Sequence, residues 1–271
     1  MPAEGAMKTA LEASVQEPRI VNSSAAIELE GVTRRFAGGG RRRARREPVT
    51  ALEGLSLRVA EHELVAVVGP SGCGKSTLLE LTCGLQQPDA GRLRSPPAVY
   101  MPQRDLLLPW LSALDNAALP LRVGAHPASR AQARARALPA FAEFGLGGFE
   151  HAMAHELSGG MRQRVAFLRT LLAGKPVLAL DEPFAALDAL TRQEMQRWLE
   201  SALAREPRTV LLVTHDVEEA VVLGDRVIVL APRPGRAVAE LSIDLSRPRR
   251  RTDPAVLALR ERALDALGVP S

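Results

Sequence analysis

Residues Gly69–Thr77 read GPSGCGKST and match the spacing G-x-x-x-x-G-K-[ST]. Every residue type in it has a task at a phosphate. Glycines let the backbone fold round an anion and turn its N–H groups inward. A helix opening at Lys75 adds unpaired N–H groups and the positive end of its dipole. Lys75 can then reach the β- and γ-phosphates, and the Ser76 hydroxyl can ligate Mg²⁺. A bound metal also needs a carboxylate at the end of another buried strand. VLALDE at 177–182 supplies Asp181 for the metal and, next to it, Glu182 to orient and activate a water. LLVTHD at 211–216 places His215 where it can sense or hold a γ-phosphate. A second glycine pair follows Ser158 in LSGGMRQR, 157–164. Ser-Gly-Gly before a helix is another anion cradle, without a lysine. Spacing leaves open whether the two cradles meet within one chain or across a dimer. The other histidines, His62, His126, His151 and His155, have no comparable setting.

The elements that carry these residues are legible as pattern. LVAVV (64–68), VLAL (177–180), TVLLV (209–213) and RVIVL (226–230) are short, continuous apolar runs rich in β-branched residues. Strands buried on both faces read this way, which predicts a parallel sheet covered by helices. Ligands then bind at the C-terminal edge of the strands, where both VLALDE and LLVTHD end. Upstream, AIELEGVTRRF and VTALEGLSLRVAEHE alternate apolar and polar residues, the pattern of half-buried antiparallel strands. Residues Asp188–Ala204 carry Met195, Trp198, Leu199, Ala202 and Leu203 as one helical stripe, read as core packing. Between Ser112 and Glu156 no strand is evident. Pro120, Pro127 and Pro139 are expected to break that stretch into short helices, with Arg130, Arg134 and Arg136 on a solvated face. The tail after Arg251 predicts one more helix, with Asp253 as cap, Pro254 in the first turn and Gly268 as stop.

Composition sets the outer bounds. The 271 residues suffice for a large core, and the formal net charge of +4 is mild. Cys73 and Cys83 form neither a metal spacing nor a disulfide framework, which suits a reducing compartment. No run approaches the length of a membrane-spanning helix. Basic residues concentrate in GRRRARRE (40–47) and RPRRR (247–251). These read first as solvated loops, and otherwise as contacts to an anionic membrane surface or nucleic acid. No aromatic residue interleaves with either run, which argues against base stacking.

The motifs GPSGCGKST, LSGGMRQR, LALDEP, AALD and VTHD, in this arrangement, resemble the ATPase subunit of ABC transporters. The resemblance spans about Ile27 to Pro232, and LSGGMRQR is its most discriminating part. It implies an α/β fold: a P-loop NTPase core with a mostly parallel sheet, an N-terminal antiparallel β subdomain and a helical subdomain. The expected layout is a leader over 1–25 and an ATPase domain over 26–245. Within that domain the helical subdomain covers about 103–164, and a helical tail occupies 246–271. The implied ligands are ATP and Mg²⁺, and the implied assembly is a head-to-tail homodimer. Each ATP would lie between one chain's Gly69, Pro70, Ser71, Gly72, Cys73, Gly74, Lys75, Ser76 and Thr77 and the other chain's Ser158, Gly159 and Gly160. The same resemblance implies that Phe36 stacks on adenine and that Asp188 sits in a loop crossing the dimer. By the same resemblance Gln103 would touch Mg²⁺ and water and link to the membrane subunit. Ser76 and Asp181 would complete the metal site, Glu182 would be the general base and His215 the switch residue.

A narrower likeness lies in MPQRDLLLPWLSALDNAAL, 101–119, which is similar to importers of nitrate, sulfonates and taurine, a group that includes importers of thiamine-precursor pyrimidines. The implied partners are transmembrane permease subunits and, indirectly, a solute-binding protein, at the cytoplasmic face of the membrane. Nucleic acid is not expected. A soluble ABC ATPase acting on nucleic acid or in translation usually has long coiled coils or tandem cassettes, which this chain lacks. A small-molecule kinase would leave LSGGMRQR unexplained. Departures from the family pattern are a short stretch from Gly91 to Gln103, Ala185 in place of glycine, VAFLRTLLAG after the second cradle, and the arginine loop after Phe36.

Overall fold

The computed structural model describes residues 25–38, 46–124 and 126–268. The expected leader up to residue 24 and nearly all of the arginine loop lie outside the described residues. Strands β1 (Ala25–Gly38) and β2 (Arg46–Ala60) form an antiparallel pair. Then follow β3 (Leu64–Val68), helix α1 (Lys75–Thr82), β4 (Ala90–Arg94) and β5 (Ala98–Met101). Helices α2 (Ala113–Ala118), α3 (Arg130–Glu143) and α4 (Gly159–Leu172) come before the next strand. The chain continues through β6 (Val177–Asp181), α5 (Ala189–Arg205), β7 (Thr209–Thr214) and α6 (Val217–Leu223). It ends with β8 (Arg226–Leu230), β9 (Ala237–Ser242) and α7 (Pro254–Ala266).

Two sheets result: β2-β1-β4, and β5-β6-β7-β3-β8-β9. The larger is parallel from β5 to β8, with β9 antiparallel on its edge. Its central strands separate two cores by strict alternation. Val65 and Val67 of β3, with Val177, Ala179, Leu211 and Val213, pack towards α1 and the smaller sheet. Leu64, Ala66 and Val68, with Leu178, Leu180, Val210 and Leu212, pack towards the other helices. This two-sided burial is the physical reason for continuous apolar runs.

The segment from Gly91 to Gln103 is not a single hairpin. Its first strand, β4, pairs with β1, and its second, β5, pairs with β6. Ser95–Pro97 carries the chain from one sheet to the other. Neither β5 nor β9 was expected from pattern, because each is a short edge strand, β5 only partly buried and β9 largely exposed.

Three expectations change. Pro139 does not break its helix; α3 runs through it. Pro139 is exposed, so the carbonyl that loses its N–H partner faces water, while Ala133, Ala137 and Phe141 anchor the opposite face in the core. Arg130 and Arg134 are not simply solvated. Both reach the fully buried carboxylate of Asp115, at 2.6 and 3.0 Å, and Arg130 foremost holds that carboxyl down at about 2. The run 247–251 is not a free basic loop. Arg249 donates to the carbonyls of Val221 (3.0 Å) and Val222 (3.1 Å) at the end of α6, and to those of Leu245 (3.0 Å) and Ile243 (3.3 Å). Arg247 pairs with Asp225 at 2.8 Å, and Arg251 with Glu218 at 2.6 Å. Helix α7 follows, capped by Asp253, and buries Val256 and Ala263 in the main core.

Candidate functional site

Strand order brings the chemistry together. Neighbours β5, β6, β7 and β3 end on one edge, with Met101 level with Leu180, Asp181 with Val213, and Val68 with Thr214. The loop 69–77, Asp181–Glu182, His215 and Gln103 therefore leave the sheet side by side. They line a cleft of about 590 Å³, together with Phe36, Val49, Ala51 and Arg233.

The loop is shaped by its own packing. Gly74 caps α1 at φ 101°, and a Cβ there would lie 2.6 Å from the Ala51 carbonyl oxygen, so both backbone and space demand glycine. Ser71, Gly72, Gly74, Lys75, Ser76 and Thr77 line the cleft. Gly69, Pro70 and Cys73 do not line it; the Cys73 side chain is buried, and burial pushes its thiol up. Lys75 is buried, and its ammonium donates to the carbonyls of Gly69 (2.7 Å) and Pro70 (3.1 Å).

Asp181 is buried at the end of β6. Burial pushes its carboxyl up, while hydrogen bonds from Ser76 and Tyr100 oppose that shift. The Tyr100 hydroxyl donates to Asp181 at 3.0 Å. Serine hydroxyl, carboxylate and the nearby Gln103 amide form an all-oxygen donor set, which fits a hard cation such as Mg²⁺. Among the described residues no group of three or more His, Cys, Asp or Glu side chains forms a metal cage. Such a sparse protein ligand set is usual where Mg²⁺ is also bound through phosphates.

Glu182 stands one residue beyond the strand at φ 46°, a left-handed conformation that costs a bulky residue about 1–3 kcal/mol. Its N–H still donates to the Val213 carbonyl at 2.8 Å. The turned backbone sends its carboxylate into the cleft. There one oxygen, Oε2, accepts from the Gln103 amide at 2.9 Å and lies 3.1 Å from His215 Nδ1. Three residues singled out separately in the sequence thus meet on one atom. With Nδ1–H donating to Glu182, a neutral His215 ring keeps Nε2 as a free acceptor.

Phe36 is half-buried at the cleft's rim, with the Arg34 guanidinium stacked over its ring at 5.0 Å from the centroid. Arg34 is itself held by Asp89 at 3.1 Å and Gln86 at 2.8 Å.

Ser158, Gly159, Gly160 and Asp188 do not line this cleft. Ser158 caps α4, its hydroxyl accepting from the Met161 N–H at 3.2 Å. That explains locally why a helix opens on Ser-Gly-Gly. Asp188 caps α5, accepting from Leu190 (3.1 Å) and Thr191 (3.0 Å). The two regions are nevertheless tied to the cleft. The buried Gln163 amide of α4 donates to the Pro183 carbonyl, next to Glu182, at 2.8 Å. Arg162 pairs with Asp105 at 3.1 Å, and Arg169 holds the carbonyls of Asp105 (2.6 Å) and Leu106 (3.0 Å). Helix α4 therefore fixes the segment that follows Gln103.

That segment is the 101–119 motif, and its residues explain one another. The Asn116 side chain brackets the turn, accepting from Leu108 N–H (2.8 Å) and donating to the carbonyls of Leu108 and Leu111 (both 3.1 Å). Leu106 and Trp110 stay on the outside, 55% and 70% exposed.

Tyr100 and Arg233 escaped the sequence reading. Tyr100 was hidden because β5 carries no strong strand signal. Arg233 lies in the β8–β9 turn, far along the chain from the loop it touches, and no spacing links the two.

A cleft that joins a glycine-rich loop at a helix N-terminus, oxygen donors suited to a hard cation and a carboxylate turned inward fits nucleoside triphosphate hydrolysis. Relatives agree. Residues 52–185 match the ABC transporter family. An aliphatic sulfonates import ATP-binding protein of Rhodococcus jostii is 47% identical over 225 residues, 80% of this chain and 87% of the relative. A formylaminopyrimidine import ATP-binding protein of Halalkalibacterium halodurans is 45% identical over 207 residues, 74% of this chain and 82% of the relative. Among solved structures, a dimeric ATP-binding cassette in a post-hydrolysis state with ADP and Pi superposes with a TM-score of 0.71 at 30% identity, covering 81% of this chain and all of that one. The chain belongs to the ABC transporter family and is one of its ATP-hydrolysing, ATP-binding cassettes.

Proposed function

We propose that this chain energises import of a small solute as one of two head-to-tail ATPase subunits, bound peripherally to a permease at the cytoplasmic face of the membrane. The observation that carries the paired arrangement is the separation of the two cradles: Ser158, Gly159 and Gly160 stay outside the cleft that holds the P-loop. Neither Gly159 nor Gly160 has a positive φ, and a Cβ at either would meet only ordinary contacts within the chain. Their smallness serves close approach from outside, and a partner's nucleotide is the fitting occupant.

In this reading ATP lies with its phosphates on Gly69–Thr77, its adenine against the face of Phe36 that Arg34 leaves free, and its γ-phosphate towards the partner's Ser158. Mg²⁺, held by Ser76 and Asp181 with Gln103 alongside, would neutralise charge on the β- and γ-phosphates. Glu182 receives the proton of the attacking water, and Gln103 and His215 orient its carboxylate through Oε2. Asp188 reaches the partner from the start of α5. The exposed Leu106 and Trp110, on the segment clamped by α4, offer the permease an apolar hold close to Gln103.

The first solutes to test are aliphatic sulfonates, because of the Rhodococcus relative's named cargo. Pyrimidine precursors are the second, because of the Halalkalibacterium one. The test is affinity purification of tagged Glu182→Gln from native membranes with ATP and Mg²⁺. A multispanning permease should co-purify, and the associated solute-binding protein then identifies the cargo by ligand titration. Recovery of only soluble partners would overturn the importer reading.

A further inference from the structure

The β8–β9 turn, 231–236, is hydrogen-bonded to β2 and packs against the nucleotide loop. The Gly235 N–H donates to the Ala51 carbonyl at 2.8 Å, and the Glu53 N–H donates back to Gly235 at 3.1 Å. A Cβ on Gly235 would fall 2.0 Å from the Cys73 carbonyl oxygen, so the turn presses directly on the loop and only glycine fits. The turn closes on itself through the Ala231 N–H and the Arg236 carbonyl at 2.9 Å. This rigid base carries Arg233. Its Nε donates to the Gly72 carbonyl at 3.2 Å, and its Nη2 lies 3.0 Å from where a Gly72 Cβ would stand. Arg233 is exposed, lines the cleft, and among the described residues has no carboxylate partner. Its neighbours Arg226, Arg236 and Arg247 are all paired with acids. Among the described residues, Lys75 and Arg233 are the two lysine or arginine side chains that line the cleft.

We propose that Arg233 is a nucleotide-binding residue: anchored through Nε on the rim of the P-loop, it presents its remaining guanidinium N–H groups to the phosphate chain of the bound nucleotide. The inference rests on the ATPase reading above and adds to it a second phosphate-binding cation. A planar fork suits two phosphate oxygens, and a charge already held by a backbone carbonyl loses little freedom on pairing.

The test is calorimetric titration of the full chain and its Arg233→Gln and Arg233→Lys variants with ADP and with adenosine, at low and at high salt. Glutamine can still donate to the Gly72 carbonyl, so it separates loop support from charge. Expected is about a tenfold loss of ADP affinity in Arg233→Gln at low salt, the scale of one charge-assisted hydrogen bond. The loss should shrink at high salt. Adenosine affinity should not change, and Arg233→Lys, which keeps the charge but not the fork, should lose less ADP affinity than Arg233→Gln without matching the parent. Equal weakening of ADP and adenosine would make Arg233 a support for the loop and overturn the inference. So would unchanged ADP affinity in Arg233→Gln while the parent binds ADP. A parent chain that binds no ADP would overturn the ATPase reading and this inference with it.

Discussion

At the scale of single residues, the carboxylate proposed as the base owes its place to a strained backbone. Glu182 leaves β6 in a left-handed conformation, and that turn aims Oε2 at both Gln103 and His215. Two partners on one oxygen fix the orientation of the carboxylate in the cleft. Glu182→Gln keeps the size and one acceptor oxygen but removes the base. Hydrolysis should fall by at least about a hundredfold while nucleotide affinity is retained. Single-turnover phosphate release alongside a binding titration reads both quantities, and parental turnover would remove Glu182 from the chemistry. Asp181 and Glu182 are sequence neighbours with different tasks because the strand buries the first and the turn exposes the second to the cleft.

At the scale of elements, α6 is a two-turn helix that carries the His215 loop at its start, and it is held at both ends. Asp216 caps it, accepting from the Glu219 N–H at 3.1 Å. Arg249 closes the other end by occupying carbonyls that the helix leaves unpaired. Arg249→Ala would strand those carbonyls and should lower stability by about 2–3 kcal/mol, with lysine a poor substitute for the fork. Urea unfolding should show an earlier midpoint at unchanged slope; an unchanged midpoint would make the strap dispensable. Within α6, burial pushes the Glu219 carboxyl up to about 7 from 4.5. Its surroundings are the Gln196 amide at 3.1 Å from α5, Thr214, Asp216 and Arg192. The folded state therefore binds this proton more tightly than the unfolded chain. The stabilisation is full below about pH 4.5 and is lost as pH rises through about 7. Thermal melting should fall between those limits in the parent. Glu219→Gln should flatten that part of the profile, and a parental slope in the variant would assign it to other groups.

At the scale of the whole molecule, the two cradles belong to different surfaces, and in the proposed head-to-tail arrangement a complete site takes two chains. A mixture of Lys75→Ala and Ser158→Arg proteins tests this directly. Each alone should be nearly inactive. In a head-to-tail mixed pair, one site combines the intact P-loop of the Ser158 variant with the intact cradle of the Lys75 variant. Mixing should therefore restore part of the ATPase rate. No recovery in a mixture shown to form mixed dimers would reject the shared site.

Much of this protein was written in local pattern. The P-loop, the buried strands around it and the caps Asp188, Ser158 and Asp253 are set by neighbours in the chain: a glycine where φ is positive, an oxygen where N–H groups are unpaired, apolar runs where both strand faces are covered. What the tertiary structure alone decided is which distant residues share an atom or a face. The meeting of Gln103, Glu182 and His215 follows from strand order, which no local spacing encodes. The arginines tell the same story. Charge runs read as solvated surface until folding brought Asp115 beneath Arg130 and the end of α6 beneath Arg249. A guanidinium is long and satisfied by any acceptor in reach, so its partner is a property of the packed molecule.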